Sequence, residues 1–380
     1  MGSHQELPKT HRALVLTSRS EPLTVETVST PQPTPGSAVV SILAANVLSY
    51  AREVYEGIRP YTFPTPLVVG SSAIGRIAAV GPDATLLTPG QLVFFDITIR
   101  GRDDPNSAVF LSGVVDGFTP GSKKLMAGEW RDSTFAEYAK VPLENCHILN
   151  EKQLLGSVGD GGLGYSVETL AIIGRLLVPY GGLRDVNLKA GETVIIAPAT
   201  GPFGGCAVLV ALAMGARVIA MGRNVEVLKK LAAMNPKRVK TVPITGDVEA
   251  QTKALRSCFG PVDVLFDISP PQAAKSTHIR SGIFALGHGG RVSLMGGIRE
   301  DIAIPYVAVM HSNIQLKGCW MYPPVAVGEL IKMIEADVLR IDEESLGQRY
   351  VGKFKLEEWD SALTAAAENV GMADLSLITP

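Results

Sequence analysis

The sequence predicts an α/β protein in two parts, a β-rich domain and a doubly wound domain on a parallel sheet. Three observations lead there. Up to Asn150 the chain consists of short apolar or alternating runs broken by proline and glycine. From near Gly162 onward, strands alternate with helices. One apolar strand around Val194 runs straight through a glycine-bearing turn into a helix.

In the first part, residues 12–16, 23–27, 38–44, 72–80 and 91–95 read as strands. Pro31-Gln32-Pro33, Pro35-Gly36, Gly81-Pro82 and Pro89-Gly90 separate them. Many short strands at this spacing suggest a barrel-like unit. Residues 98–129, rich in Gly, Pro, Asp and Ser, read as one long functional or mobile loop. Residues 166–178 read as a helix. Strands at 193–198, 217–221, 241–244, 262–267, 290–295 and 314–318 follow, with helices at 204–214 and 225–234. Strands that alternate with helices imply crossovers and a sheet covered on both faces. The tail carries a helix at 325–336, a strand at 348–354, a helix at 356–369 and a last strand at 373–378.

Composition narrows the function. The chain has 380 residues, enough for two domains, with 46% apolar and 19% charged residues. A formal net charge of -2 leaves no basic excess for a phosphate backbone, so nucleic-acid binding is not expected. No apolar run nears the roughly 18 residues of a membrane span. The first residues carry no basic-then-apolar leader, so a soluble cytoplasmic protein is expected. Cys146, Cys206, Cys258 and Cys319 form no CxxC pair, and no two histidines stand at helical metal spacing.

The turn Ala199-Thr200-Gly201-Pro202-Phe203-Gly204 has the spacing of a dinucleotide-binding turn, with Ala199 at the first glycine position. Gly201 would let the backbone approach a pyrophosphate, and Gly204 with Gly205 would let the helix pack on the strand. Free N–H groups at the helix start would face the phosphates. The next strand ends Gly222-Arg223-Asn224 without the acid that binds the adenosine ribose of NAD. An acid would repel a 2′-phosphate, whereas a guanidinium pairs with it in a fork. NADP(H) is therefore the expected cofactor. The alternative is that Arg223 merely caps a strand in solvent.

Several stretches together resemble the medium-chain dehydrogenase/reductase superfamily over nearly the whole chain. They are Pro66–Gly70, Ile74–Gly81, Thr134–Tyr138, Leu188–Val194, the Ala199–Gly205 turn, Val262–Asp267 and Gly289–Gly297. The resemblance implies a GroES-like catalytic domain from residues 1–161 and 324–380 around a Rossmann NADP-binding domain at 162–323. It implies an active site in the interdomain cleft, Ser269 and Gly296 as further cofactor contacts, a small-molecule substrate and a homodimer.

The departures carry as much information. Zinc alcohol dehydrogenases have Cys-x-x-Asp where this chain has Asn46-Val47-Leu48-Ser49, and Gly-His-Glu where it has Gly70-Ser71-Ser72. Neutral Asn and Ser oxygens do not replace a thiolate and an imidazole on Zn²⁺. The region of the structural-zinc lobe, 98–129, contains no cysteine. No metal is expected. Asn46 instead resembles the quinone-reductase and enoyl-reductase branch, whose Asn lies near the nicotinamide, although Ser49 replaces that branch's acid. Without a metal, hydrogen bonds must meet the charge that develops on substrate oxygen. The candidates are Tyr50 as donor, with Asn46 and Ser49 orienting substrate or nicotinamide. Tyr55 and Tyr61 are alternative donors. The structural alternatives are packing for Tyr50, turn capping for Asn46 and simple filling of a vacated position for Ser71. The expected function is zinc-independent, NADPH-dependent reduction of an activated double bond in an enone, quinone or enoyl thioester. The alternatives are an NADP-dependent carbonyl or imine reductase or alcohol dehydrogenase, and a non-catalytic NADPH-binding protein.

Overall fold

A computed structural model describes residues 6–346 and 350–380. The chain divides into two compact units. One is Met1–Gly174 with Arg349–Val370 and Asp374–Pro380; the other is Arg175–Gln348 with Gly371–Ala373. This differs from the boundaries read at 161/162 and 323/324. The helix Val325–Glu335 stays with the second unit because Ala326, Val327, Leu330, Ile331 and Ile334 are buried and Glu329 pairs with Arg184 and Tyr180 there. Arg175 donates to the carbonyls of Gly371 and Met372, which ties that short tail segment to the same unit.

The first unit is β-rich. Its strands are β1 (Thr10–Leu16), β2 (Thr24–Ser29), β3 (Ser37–Asn46), β4 (Leu67–Val68), β5 (Ala73–Val80), β6 (Leu92–Phe95), β7 (Thr98–Arg100), β8 (Val109–Leu111), β9 (Tyr138–Pro142) and β10 (Cys146–Ile148). The tail adds β17 (Val351–Phe354) and β18 (Leu375–Ile378). The main sheet runs β10-β6-β5-β3-β18-β17, with β9 also on β3, and a small sheet runs β2-β1-β4. β3 is buried along most of its length, which suits its Ala, Val and Ile content. It lies close to β5 because Gly75 has no side chain: a Cβ there would stand 2.4 Å from Val40. The last strand pairs antiparallel with the end of β3, Leu377 opposite Asn46, and so holds Asn46 in place from the far end of the chain. The predicted strand 348–354 begins outside the described residues.

Residues 98–129 are not a bare loop. β7 and β8 form a hairpin, and a helix follows at Pro120–Ala127, capped by Thr119. Val109, Phe110, Leu111, Val114 and Val115 are buried, and this apolar run holds the segment in order.

The second unit holds β11 (Thr193–Ala197), β12 (Arg217–Gly222), β13 (Val239–Pro243), β14 (Val262–Asp267), β15 (Leu286–Leu294) and β16 (Gln315–Gly318). All are parallel, in the order β13-β12-β11-β14-β15-β16. The order reverses between β11 and β14, the switch point where such sheets take their ligands. Ile195, Ile219, Leu265 and Val292 of the sheet pack with Leu255, Ile279 and Ile283 of the helices. The region read as one helix at 166–178 is two, Val167–Leu170 and Ile173–Asp185. The second runs through Pro179 because buried Leu176, Leu177, Tyr180 and Leu183 hold it on both sides.

Candidate active site and dinucleotide site

In the first unit, Asn46, Ser49 and Tyr50 occupy one corner. β3 ends at Asn46, Ser49 and Tyr50 make the turn, and the helix Ala51–Tyr55 starts directly after. Asn46 is 2% exposed, and its backbone N–H donates to Ser72. It does not cap a turn: its Oδ1 is buried without a hydrogen-bond partner. A buried, unpaired amide oxygen costs about 1–3 kcal/mol unless a bound group satisfies it.

The three tyrosines separate clearly. Tyr55 is buried, and its hydroxyl donates to Gly113 O at 3.1 Å while lying 3.3 Å from both N and O of Gly70. That hydroxyl is tied to backbone. Tyr61 meets Tyr50 edge to face, with ring centroids 6.5 Å apart. The Arg59 guanidinium lies 4.0 Å from the Tyr50 ring centre and is itself paired with Glu53 at 2.8 Å. The Tyr50 hydroxyl makes no hydrogen bond with any described residue. Burial holds its phenol well above the ordinary tyrosine range; Tyr61 adds to this and Arg59 opposes it. At neutral pH Tyr50 carries its proton, as a tyrosine of ordinary pKa also does.

A zinc ion does not fit this corner. The Ser71 hydroxyl donates to the Asn46 carbonyl, and Ser71 N–H donates to Thr134 Oγ1 at 3.0 Å. Ser71 thus fills the vacated position and ties the strand end down. Among the described residues no cluster of three His, Cys, Asp or Glu side chains could hold a metal. The donor set is neutral oxygen, the wrong chemistry for Zn²⁺.

In the second unit, β11 leads through Pro198–Gly201 into the helix Pro202–Ala213, with Gly201 as N-cap and Pro202 as first residue. A Cβ on Gly201 would meet nothing within 4 Å, so space is open above the turn. A Cβ on Gly204 would stand 2.0 Å from Pro198 O, so glycine is required for the helix to pack there. Thr200 lies against Gly222, whose Cβ would stand 2.4 Å from the Thr200 methyl. Phe203 is partly exposed beside the turn. Arg223 is exposed at the end of β12 and makes no ion pair with any described residue. The Asn224 side chain caps the helix Val225–Met234, accepting from the N–H groups of Glu226 and Val227. These residues fit a dinucleotide with a 2′-phosphate: an open glycine turn, a helix N-terminus and a free cation where an acid would stand.

The resemblance pointed to Ser269 as a cofactor contact, but its side chain turns inward. It is 2% exposed, and its hydroxyl bonds Asp267 and lies 2.9 Å from His278 Nε2. Gly296 lies over this group, since a Cβ there would stand 2.5 Å from Asp267 Oδ2. Sequence reasoning missed Asp267 and His278. The acid closing Val262–Asp267 was a visible signal, but the helix His278–Ala285 that supplies the imidazole was not read.

An open glycine turn between strand and helix on a parallel sheet is the arrangement of a dinucleotide-binding fold. Residues 34–151 match the family described as alcohol dehydrogenase GroES-like domain, and residues 202–336 the family described as zinc-binding dehydrogenase. The chain belongs to the medium-chain dehydrogenase/reductase superfamily, as an oxidoreductase of the alcohol dehydrogenase type. The L-threonine 3-dehydrogenase of Saccharopolyspora erythraea is 27% identical over 322 residues, 81% of this chain and 83% of that protein. The acryloyl-coenzyme A reductase of Metallosphaera sedula is 27% identical over 215 residues, 57% and 59% of the two chains. A cobalt- and zinc-bound thermostable alcohol dehydrogenase from Pyrobaculum aerophilum aligns with a TM-score of 0.70 at 20% identity, covering 98% of this chain and 100% of that one. That last likeness is one of fold.

Proposed function

We propose that this oxidoreductase is a metal-independent, NADP(H)-dependent reductase of an activated double bond, with Tyr50 as the hydrogen-bond donor to the substrate oxygen. The observation that carries the reading is the Tyr50 hydroxyl, which makes no hydrogen bond with any described residue, in a corner whose other oxygens come from Asn46 and Ser71. When bound, NADPH supplies a hydride. The chain's own part is to receive the negative charge that then gathers on the substrate oxygen. The Tyr50 phenol donates to that oxygen, and electrostatic stabilisation of this type is commonly the largest catalytic contribution. Asn46 offers an amide to substrate or nicotinamide, and Ser49 stands beside it in the turn. The free Arg223 supports NADP(H) over NAD(H).

One relative acts on an acryloyl thioester by name, which supports conjugate reduction. A second reading, oxidation of a secondary alcohol or the reverse reduction of a ketone, is favoured by the relatives named L-threonine 3-dehydrogenase. Alcohol oxidation needs a base, however, and the protonated Tyr50 suits the reductive direction. The products decide. Incubation of an enone with NADPH should yield the saturated ketone; an allylic alcohol with the double bond intact would establish carbonyl reduction instead.

A further inference from the structure

Behind the Rossmann sheet's ligand edge lies a buried polar group that the mechanism above does not use. Asp267 is the last residue of β14, opposite Ala197 of β11 on one side and Leu294 of β15 on the other. Its side chain is 4% exposed, and that of His278 is fully buried. Asp267 Oδ1 accepts from the Ser269 hydroxyl and lies 3.0 Å from His278 Nε2. His278 Nδ1 lies 2.7 Å from the Ser276 hydroxyl. If that hydroxyl donates to Nδ1, the ring proton sits on Nε2 and is donated to Asp267. One carboxylate oxygen is thus held by two donors. The other, Oδ2, takes no hydrogen bond from any described residue, and no lysine or arginine among them pairs with the group. Gly296 packs directly against Oδ2, where a Cβ would stand 2.5 Å from it, so only glycine lets the chain approach the carboxylate this closely.

We propose that Asp267 is the residue of the dinucleotide site that distinguishes oxidised from reduced cofactor, its carboxylate favouring the cationic nicotinamide ring of NADP⁺. The inference rests on the NADP(H) reading above. The strand order supplies the geometry. β12, which ends in Gly222 and Arg223, flanks β11 on one side, and β14 flanks it on the other. A dinucleotide with its pyrophosphate on the Ala199–Gly204 turn and its adenosine half toward Arg223 directs its nicotinamide half toward β14. A carboxylate there, 4% exposed and paired with no lysine or arginine among the described residues, attracts a positive ring more strongly than a neutral one. Loss of a hydride makes the ring cationic, so the carboxylate stabilises the complex that follows reduction of substrate.

Titrations of the full-length protein with NADP⁺, NADPH and 2′,5′-ADP, which lacks the nicotinamide half, test this. Asp267→Asn keeps the shape and an acceptor but removes the charge. It should weaken NADP⁺ by about tenfold or more, change NADPH by less than about threefold, and leave 2′,5′-ADP as in wild type. A merely structural role would move all three together, and equal losses for NADP⁺ and NADPH overturn the proposal, as does no loss for either. Should Asp267→Asn fail to fold, the wild-type protein still decides: NADP⁺ should bind at least as tightly as NADPH, and a preference for NADPH beyond about tenfold overturns the proposal. Wild-type protein that binds none of the three ligands would remove the cofactor reading itself, and this inference with it.

Discussion

Tyr50 and Arg223 show how much a single side chain's surroundings decide. In sequence, Tyr50 was the candidate donor, with Tyr55 and Tyr61 as alternatives. The fold ties the Tyr55 hydroxyl to Gly113 and Gly70 and leaves that of Tyr50 without a partner. If Tyr50 meets charge in the transition state, Tyr50→Phe should lower kcat by about 10²-fold, near 2.7 kcal/mol, with NADPH affinity retained. A wild-type kcat in that variant would return the role to Tyr61 or to water. Asn46→Ala should raise KM as well as lower kcat, because it removes a placing contact. Arg223→Ala should weaken NADPH by about 10- to 150-fold and barely change NADH, as measured by fluorescence titration. Equal losses would mean that Arg223 does not read the 2′-phosphate. His147 adds a pH dependence. Burial lowers its pKa from 6.5 to about 4. Below pH 6.5 the unfolded chain takes up a proton that the folded ring refuses, so stability falls as pH drops from about 6.5 to about 4. Urea denaturation at pH 5 and pH 7 should show a smaller difference in His147→Gln than in wild type.

At the scale of elements, legibility followed periodicity. β14 and the helix Val225–Met234 lie where the residues were read, because each has a clear apolar pattern and clean ends. The helix Val248–Phe259 was missed because Glu249, Gln251, Thr252, Lys253, Arg256 and Ser257 make half of it polar, and Gln251 takes one of its buried positions. The hairpin and helix within 98–129 were missed for another reason: Gly, Pro and Ser mark turns, and here the turns join short apolar strands. Amides of β7 and β8 should therefore exchange slowly even without ligand. Rapid exchange throughout would restore the picture of a mobile loop. The cap of the helix Val225–Met234 offers a separate test. Asn224→Ala removes the acceptor for two N–H groups at the end of β12 and should cost about 0.5–2 kcal/mol in thermal unfolding.

For the whole molecule, two expectations await measurement. Active protein should contain no stoichiometric zinc by elemental analysis, since Asn46 and Ser71 stand where ligands would; one tightly bound zinc per chain would reverse this. We also propose a homodimer. β16 is an edge strand of its sheet, and Tyr306, Val307 and Met310 nearby are 73%, 65% and 51% exposed. Sedimentation should give twice the chain mass, and a monomer at micromolar concentration would exclude it. Among the described residues no helix is long and apolar enough to cross a membrane. The sequence by itself determined the class of fold, the glycine turn after β11, the missing acid after β12 and the missing thiolate and imidazole. All of these are local: a strand, a turn or a residue type suffices to read them. Only the tertiary structure decided which tyrosine keeps a free hydroxyl, that Asn46 is pinned by the last strand of the chain, and that Asp267, Ser269 and His278 share one buried network. Those depend on residues far apart in the chain, or on helices with no visible pattern, and burial reaches them only once the sheets have formed.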